Sequence, residues 1–138
     1  MENIKNGEIG FEKIELKDLW ETIKIHYPSI AIEDNMEYVI GDCTLLLSLF
    51  LNLLSNISRT GEEITIIASD HKICLCNKED FIDKTMLKIL NGNRQIPRDQ
   101  IRGKGFGVSL CHEIANLHHA KIRYDSTEEK GTIVTVVF

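Results

Sequence analysis

Residues 103–110 read GKGFGVSL, in which three glycines two apart come directly before an apolar stretch of helical character. Glycine lets a backbone approach a ligand closely, and the first turn of a helix presents N–H groups that have no intrahelical partners. A glycine-rich loop at a helix start is therefore suited to binding an anion such as a phosphate group. The open question is which phosphorylated molecule would bind there.

A second polar feature lies on an otherwise apolar helix, predicted from an N-cap at Asp42 to about Arg59. Most of its residues are Leu, Ile or Phe, a composition typical of a helix buried on most sides. The polar residues recur at helical spacing and form one narrow stripe: Ser48, Asn52, Ser55, Asn56 and Arg59. Either this stripe is the solvent-exposed side of the helix, or its asparagines and arginine face a polar ligand in a cleft.

Length and charge exclude several classes of protein. The chain has 138 residues and a net charge of −5, and it is long enough for one domain with its own core. Its Lys and Arg residues are not clustered, so a nucleic-acid partner is not expected. The sequence lacks an apolar stretch of about 18 residues and the apolar core of a signal peptide. We therefore expect a single cytoplasmic domain without a membrane segment.

Four cysteines could form a metal site or a disulfide. Cys74 and Cys76 alternate along an apolar, strand-like stretch and so share one face of it. No second pair at a spacing typical of zinc ligands follows them, and the histidines form no ligand pattern. Buried, reduced thiols are therefore favoured over a structural metal.

The elements that would position these residues follow from hydrophobic periodicity and turn residues. Three hairpins are predicted: SIAIE with MEYVIG, EITIIAS with KICLCN, and KIRYDS with TIVTVVF. A further strand is predicted at GFEKIEL. Three helices are predicted: KDLWETIKIHYP up to Pro28, the apolar helix to about Arg59, and Gly107 to about His118, with one more helical turn at KTMLKIL. This order predicts an α+β fold, a two-layer sandwich with a mixed sheet and three helices on one face.

The motifs resemble those of the histidine-kinase-like ATPases, which share the Bergerat nucleotide-binding fold. LFLNLLSN, with Arg59 just beyond it, is similar to the N-box of that family, and GKGFGVSL is similar to its second glycine box. The lead-in VIGD and the final strand entered through Gly131 and Thr132 also look like those of the family. The resemblance covers residues 11–138 and so implies one ATPase domain there, after a lead-in over residues 1–10. Within the family, the motifs are most similar to those of the ATP-binding catalytic domain of bacterial sensor histidine kinases.

The resemblance implies a site for ATP and Mg²⁺. Asn56 would hold the magnesium ion that bridges the phosphates, and Asn52 would lie beside it in the phosphate site; these two are the implied catalytic residues. The other nucleotide-binding residues implied at this end are Arg59, Gly103, Lys104, Gly105, Phe106 and Gly107. The glycine loop and the helix start would wrap the phosphates.

The chain departs from the family at the first glycine box, of the type Asp-x-Gly-x-Gly, whose Asp accepts a hydrogen bond from adenine. Here the region reads CLCNKEDFIDK, and no glycine occurs between Gly61 and Gly92. Two registers stay open. In one, Glu79 takes the Asp position and is followed by Asp80, so both are implied nucleotide-binding residues. In the other, Cys76 and Asn77 replace the usual Asp-Asn pair.

The function that the resemblance implies is the catalytic domain of a two-component sensor histidine kinase, which presents the γ-phosphate of ATP to a histidine on a separate domain. Its implied partners are a histidine-bearing dimerisation domain, in cis or in trans, and a downstream response regulator. The whole kinase could be membrane-anchored, with this domain in the cytoplasm. Two alternatives stay open: a degenerate domain of the same fold that serves as a docking surface in signalling, and an anti-sigma-factor-type serine kinase. The altered first glycine box predicts weak binding of Mg-ATP.

Overall fold

The computed structural model describes residues 10–58, 64–92 and 106–138, and of Phe106 the backbone. Seven strands and four helices lie in these ranges. In chain order they are β1 (Glu12–Glu15), α1 (Leu16–His26), β2 (Ala31–Asp34), β3 (Tyr38–Gly41), α2 (Cys43–Ile57), β4 (Ile64–Ser69), β5 (Lys72–Asn77), α3 (Lys84–Asn91), α4 (Phe106–Leu117), β6 (Lys121–Thr127) and β7 (Gly131–Val137).

The main sheet has five strands in the order β2-β4-β5-β7-β6. β2 runs parallel to β4, and every other neighbouring pair is antiparallel. Helix α2 packs on β5 and α4, α4 also packs on β6, and α1 packs on α2. The predicted α+β fold with a mixed sheet is therefore confirmed. The helices number one more than predicted, because the segment KTMLKIL forms the eight-residue helix α3, whose N-cap Asp83 accepts the N–H of Met86 at 2.8 Å.

Two of the predicted hairpins, β4–β5 and β6–β7, are confirmed. The predicted hairpin of SIAIE with MEYVIG is wrong, because β2 and β3 belong to different sheets: β3 pairs with β1 instead. The turn between them explains the difference. The carboxylate of Asp34 accepts the backbone N–H groups of Met36 and Glu37, and Glu37 has a φ of 71°. The chain therefore leaves the main sheet at Asp34 rather than folding back along it.

Helix α2 lies at the centre of the core. The side chain of Asp42 accepts the N–H of Leu45 at 3.1 Å, so its predicted role as N-cap is confirmed. Phe50 is fully buried and meets the ring of Trp20 edge-on, with the ring centroids 5.7 Å apart. Such aromatic pairs contribute beyond the area they bury. The apolar composition of α2 thus reflects contacts with α1, α4 and the sheet.

One end of α2 is fixed by a buried histidine. His118 accepts the backbone N–H of Asp42 through Nε2 at 3.0 Å and donates from Nδ1 to the carbonyl of Ile114 at 2.8 Å. The ring of Phe11 stacks on it with the centroids 4.8 Å apart. His118 is only 8% exposed, so it joins α4 to the start of α2 as a core residue.

Replacing Gly41 with alanine is expected to lower the free energy of unfolding by about 1–3 kcal/mol, the usual effect of overpacking. An added Cβ would lie 2.7 Å from His118 Cδ2 and 2.8 Å from Leu46 Cδ1. The imidazole cannot move aside without breaking its two hydrogen bonds. Urea unfolding measures the change. Gly92→Ala is the matched control, because its Cβ would come no closer than 3.3 Å to the carbonyl of Lys88; equal effects of the two substitutions would contradict this expectation.

Candidate functional site

The predicted site residues that the structure describes lie at the opposite end of α2 from His118. Four elements meet there. Asn52 and Asn56 lie toward the carboxyl end of α2, Asn77 is the last residue of β5, and Tyr124 is in the middle of β6. The first turn of α4 approaches them at Gly107. Two helix ends and one strand end therefore converge on a group of uncharged polar side chains.

Asn52 faces the first turn of α4. Its Nδ2 donates to the carbonyl of Ser48 at 2.8 Å, which directs its Oδ1 away from its own helix. A Cβ added to Gly107 would lie 3.1 Å from that Oδ1, closer than an ordinary contact. Glycine at this position therefore lets the start of α4 approach the Asn52 amide. The N–H groups of a helix start also favour negative charge nearby.

Asn56 lies one turn further along α2 and is 8% exposed. Its Nδ2 donates to the hydroxyl of Tyr124 at 3.0 Å. Among the described residues no donor contacts its Oδ1. Ser55, between the two asparagines, is exposed. The polar stripe therefore divides: Ser55 faces solvent, whereas Asn52 and Asn56 face other parts of the chain.

Asn77 ends β5 directly beneath the carboxyl end of α2. Its Nδ2 donates to the carbonyl of Ile57 at 2.6 Å, and its Oδ1 accepts the N–H of Glu79 at 2.9 Å. The side chain is 6% exposed. It provides a partner for one of the carbonyl groups that every helix leaves without an intrahelical bond at its carboxyl end. Asn77 therefore joins α2 to the segment after β5.

Cys76, Glu79 and Asp80 are the other residues that the resemblance offered for the position of the family's adenine-recognising aspartate. Their side chains are oriented differently from that of Asn77. Ile73, Leu75 and Asn77 are buried along β5, whereas Cys74 and Cys76 alternate with them and are half-buried. Because successive strand residues point to opposite faces, Cys76 faces away from α2. Glu79 is exposed and Asp80 is half-buried.

The segment after β5 is held against the last hairpin. The N–H of Ile82 donates to the hydroxyl of Ser126 at 2.9 Å, and that hydroxyl also contacts the Thr132 hydroxyl at 2.9 Å. Thr132 is fully buried. These bonds fix the position of residues 78–82 relative to β6 and β7.

The remaining predicted site residues are those of the segments that the resemblance assigns to phosphate binding. Arg59, Gly103, Lys104 and Gly105 lie outside the described residues. Phe106 begins α4, and Gly107 follows it in the first turn. Of the second glycine box, the structure thus describes the helix start and its approach to Asn52.

Asparagine oxygens suit magnesium better than the thiols do. Mg²⁺ prefers hard oxygen ligands and usually keeps waters and substrate phosphates rather than an all-protein cage. The Oδ1 of Asn56 fits that preference, and in the described ranges no three His, Cys, Asp or Glu side chains are grouped so that they could hold a metal ion. Cys111 is buried and its Sγ contacts the carbonyl of Leu49, and burial raises the pKa of this thiol to about 12. Cys43, in contrast, is exposed.

Residues 41–138 match the family described as histidine kinase-, DNA gyrase B- and HSP90-like ATPases. The chain belongs to this family of ATPases. A curated relative, the adaptive-response sensory kinase SasA of Rippkaea orientalis, is 26% identical over 111 residues. That alignment covers 73% of this chain and 28% of SasA, so the chain spans little more than a quarter of the relative's length.

Solved structures of histidine kinases have the same fold. The catalytic domain of histidine kinase ThkA has a TM-score of 0.73 at 20% identity, covering 93% of this chain and 95% of that one. The mycobacterial sensor histidine kinase MprB has a TM-score of 0.68 at 17% identity, with 94% and 97% covered. Full-length ShkA in complex with AMPPNP has a TM-score of 0.72 at 12% identity, with 94% and 31% covered. At these identities the likeness concerns the fold alone.

Sequence reasoning missed Tyr124 altogether and gave Asn77 only a secondary place. In KIRYDS, Ile122 and Tyr124 are at the positions that alternate toward the core. A buried tyrosine at such a position needs a partner for its hydroxyl, and this need was the signal that could have identified Tyr124 from the sequence.

No helix in the described ranges is both long and apolar enough to cross a membrane.

Proposed function

We propose that this chain is the ATP-binding catalytic domain of a sensor histidine kinase. The observation that carries this proposal is the approach of Gly107, in the first turn of α4, to the amide oxygen of Asn52. It brings two motifs that are distant in the sequence to one place. The proposed partners are a histidine-bearing dimerisation domain, which receives the γ-phosphate, and a response regulator downstream of it. The proposed location is the cytoplasm.

Each residue that the resemblance assigns to the phosphates has a role in the proposal. The Oδ1 of Asn56 holds Mg²⁺, and Asn52 lies beside the phosphates. The N–H groups at the start of α4 and the glycine loop before it neutralise phosphate charge, and Arg59 adds a positive charge. Bound Mg²⁺ supplies charge neutralisation across the phosphates. Phosphoryl transfer needs mainly positioning and such neutralisation from the protein.

We further propose that Asn77 takes the place of the aspartate that recognises adenine in the family, rather than Cys76 or Glu79. It is the last residue of β5 and lies on the side of the sheet that carries α2, whereas Cys76 lies on the other side. Its two polar atoms already have partners in the chain. Its acceptor strength for an adenine amino group is therefore lower than that of a free carboxylate.

A docking domain without nucleotide is the second candidate function. It is favoured by the internal hydrogen bonds of Asn77 and by the side chains of Glu79 and Phe81, which stand where the family has glycines if Asn77 takes the aspartate position. Such side chains would crowd a bound base.

Calorimetric titration with ATP tests the proposal. Weak but saturable binding is expected in Mg²⁺, with reduced heat in EDTA and poor discrimination between ATP and GTP. A poorly matched buried hydrogen bond costs about 1–3 kcal/mol, or roughly one to two decades in affinity. Tight, adenine-selective binding would instead indicate that a carboxylate such as Glu79 or Asp80 recognises the base. No binding at any concentration would favour the docking domain.

A transfer assay then identifies the acceptor. With labelled ATP, the chain alone is expected to incorporate no label at a histidine, and a separately purified histidine-bearing dimerisation domain is expected to become labelled. Acid lability and base stability of the label identify phosphohistidine. A label with the opposite stability, on a serine of a partner, would indicate the serine-kinase alternative.

A further inference from the structure

We infer that Tyr124 is a positioning residue that orients the Asn56 amide so that its oxygen faces the metal. This inference rests on the proposed function, because it concerns how the proposed Mg²⁺ ligand is held. It goes beyond that function by assigning a role to a residue of β6, outside both glycine boxes and the N-box.

The hydrogen bond between the two side chains is buried. Asn56 Nδ2 donates to the Tyr124 hydroxyl at 3.0 Å, and the two residues are 8% and 1% exposed. An asparagine side chain has one donor end and one acceptor end on the same planar group. Holding the NH₂ end on the phenol therefore turns the Oδ1 end away from β6.

This orientation matters because the wrong one would bring a donor to the metal. If the amide of Asn56 turned by half a rotation, its NH₂ group would face the cation and could not ligate it. A phenol hydroxyl can accept as well as donate a hydrogen bond, so its bond to Asn56 fixes the plane of the buried amide. In the orientation that the structure has, Nδ2 lies on the phenol and Oδ1 is left for the metal.

Tyr124 is itself fixed at its backbone. Its N–H donates to Oδ1 of Asn91 at 2.6 Å, and Nδ2 of Asn91 donates to its carbonyl at 2.9 Å. It also pairs with Val134 in the sheet. Asn91 is the last residue of α3, which is joined to the sheet by this pair of bonds. The metal ligand, the sheet and α3 are therefore connected through one tyrosine.

The test is Tyr124→Phe, which removes the hydroxyl and keeps the ring. We expect affinity for ATP in Mg²⁺ to fall about three- to tenfold, the effect of losing one hydrogen bond, and affinity in EDTA to change less than twofold. Tyr38→Phe is the matched control, because Tyr38 is 46% exposed on β3, which pairs with β1 outside the main sheet and lies at the His118 end of the molecule. It is expected to leave both affinities unchanged.

The outcomes separate this inference from the proposed function. If the wild type binds Mg-ATP and Tyr124→Phe binds it with the same affinity, only the positioning role is overturned. An equal loss in Mg²⁺ and in EDTA would show a general structural role and would also overturn it. A wild-type chain that binds no Mg-ATP would overturn both.

A second measurement does not depend on the variant. In the wild-type chain, the side-chain amide protons of Asn56 should exchange slowly with solvent and show nuclear Overhauser contacts to the Tyr124 ring. On addition of ATP with Mn²⁺ in place of Mg²⁺, the Asn56 side-chain signals should broaden. Rapid exchange of those protons, or no broadening under conditions where ATP binds, would contradict the inference.

Discussion

Gly131→Ala is expected to lower the free energy of unfolding by about 3–5 kcal/mol, a large part of the roughly 5–15 kcal/mol that stabilises an ordinary domain. Gly131 has a φ of +76°, in the left-handed region that side chains other than glycine rarely adopt. An added Cβ would also lie 2.5 Å from Lys78 Cα and would overlap the carbonyl oxygen of Asn77. Backbone atoms cannot rotate away as a flexible side chain can, so the strain and the overlap add.

Urea unfolding in the absence of nucleotide measures this effect, and Gly92→Ala again serves as the control. Gly92 has an ordinary φ of −78°. The atom nearest to its added Cβ, the carbonyl oxygen of Lys88, would lie 3.3 Å away. A change of less than about 1 kcal/mol is expected there. If Gly131→Ala were as mild as Gly92→Ala, the close approach of β7 to the end of β5 would be wrong.

The position of Gly131 explains why the glycine at the start of the last strand matters for the site. It allows β7 to begin directly against Asn77 and Lys78, where the base-recognising residue is proposed to lie. The sequence identified Gly131 and Thr132 only through a resemblance, without a physical reason. The reason is tertiary: the backbone that would meet the Cβ belongs to a strand more than fifty residues earlier.

Local patterns predicted the elements well where the pairing partners are close in the sequence. The β4–β5 and β6–β7 hairpins each join neighbouring strands through a short turn, and α2 carries its own N-cap at Asp42. The first predicted hairpin was wrong because β2 pairs in parallel with β4, across the whole of α2. Parallel pairing leaves no turn signal in the sequence.

The site was predicted to the extent that it lies on one helix. Helical spacing alone brought Asn52 and Asn56 into one stripe, but it left open whether they faced solvent. The approach of Gly107 to Asn52 and the hydrogen bond of Asn56 with Tyr124 required the positions of α4 and β6. The register after β5 could not be chosen either, although the predicted strand KICLCN already ended at Asn77. The choice depends on which face of β5 carries α2, and Asn77 lies on that face.

Asn56→Ala is expected to abolish the part of ATP affinity that depends on Mg²⁺. The substitution removes the proposed metal ligand. Loss of a group that only supports a ligand usually weakens metal affinity by roughly 10–100-fold. Loss of the ligand itself is therefore expected to weaken metal affinity by at least the upper end of that range. Thermal unfolding measures the effect. A ligand present at a hundred times its dissociation constant stabilises the folded state by about 2.7 kcal/mol, so Mg-ATP should raise the melting temperature of the wild type and leave that of the variant unchanged.

A loss of stability must be distinguished from a loss of binding, because Asn56 is also a partner of the buried Tyr124 hydroxyl. The variant is therefore expected to be less stable by about 1–2 kcal/mol without nucleotide, and the ligand-induced shift is compared with each chain's own unliganded value. Asn116→Ala, at an exposed position of α4, is the matched control and should keep the full shift. If Asn56→Ala kept it as well, Asn56 would not be a metal ligand, and the oxygen that faces away from Tyr124 would need another role.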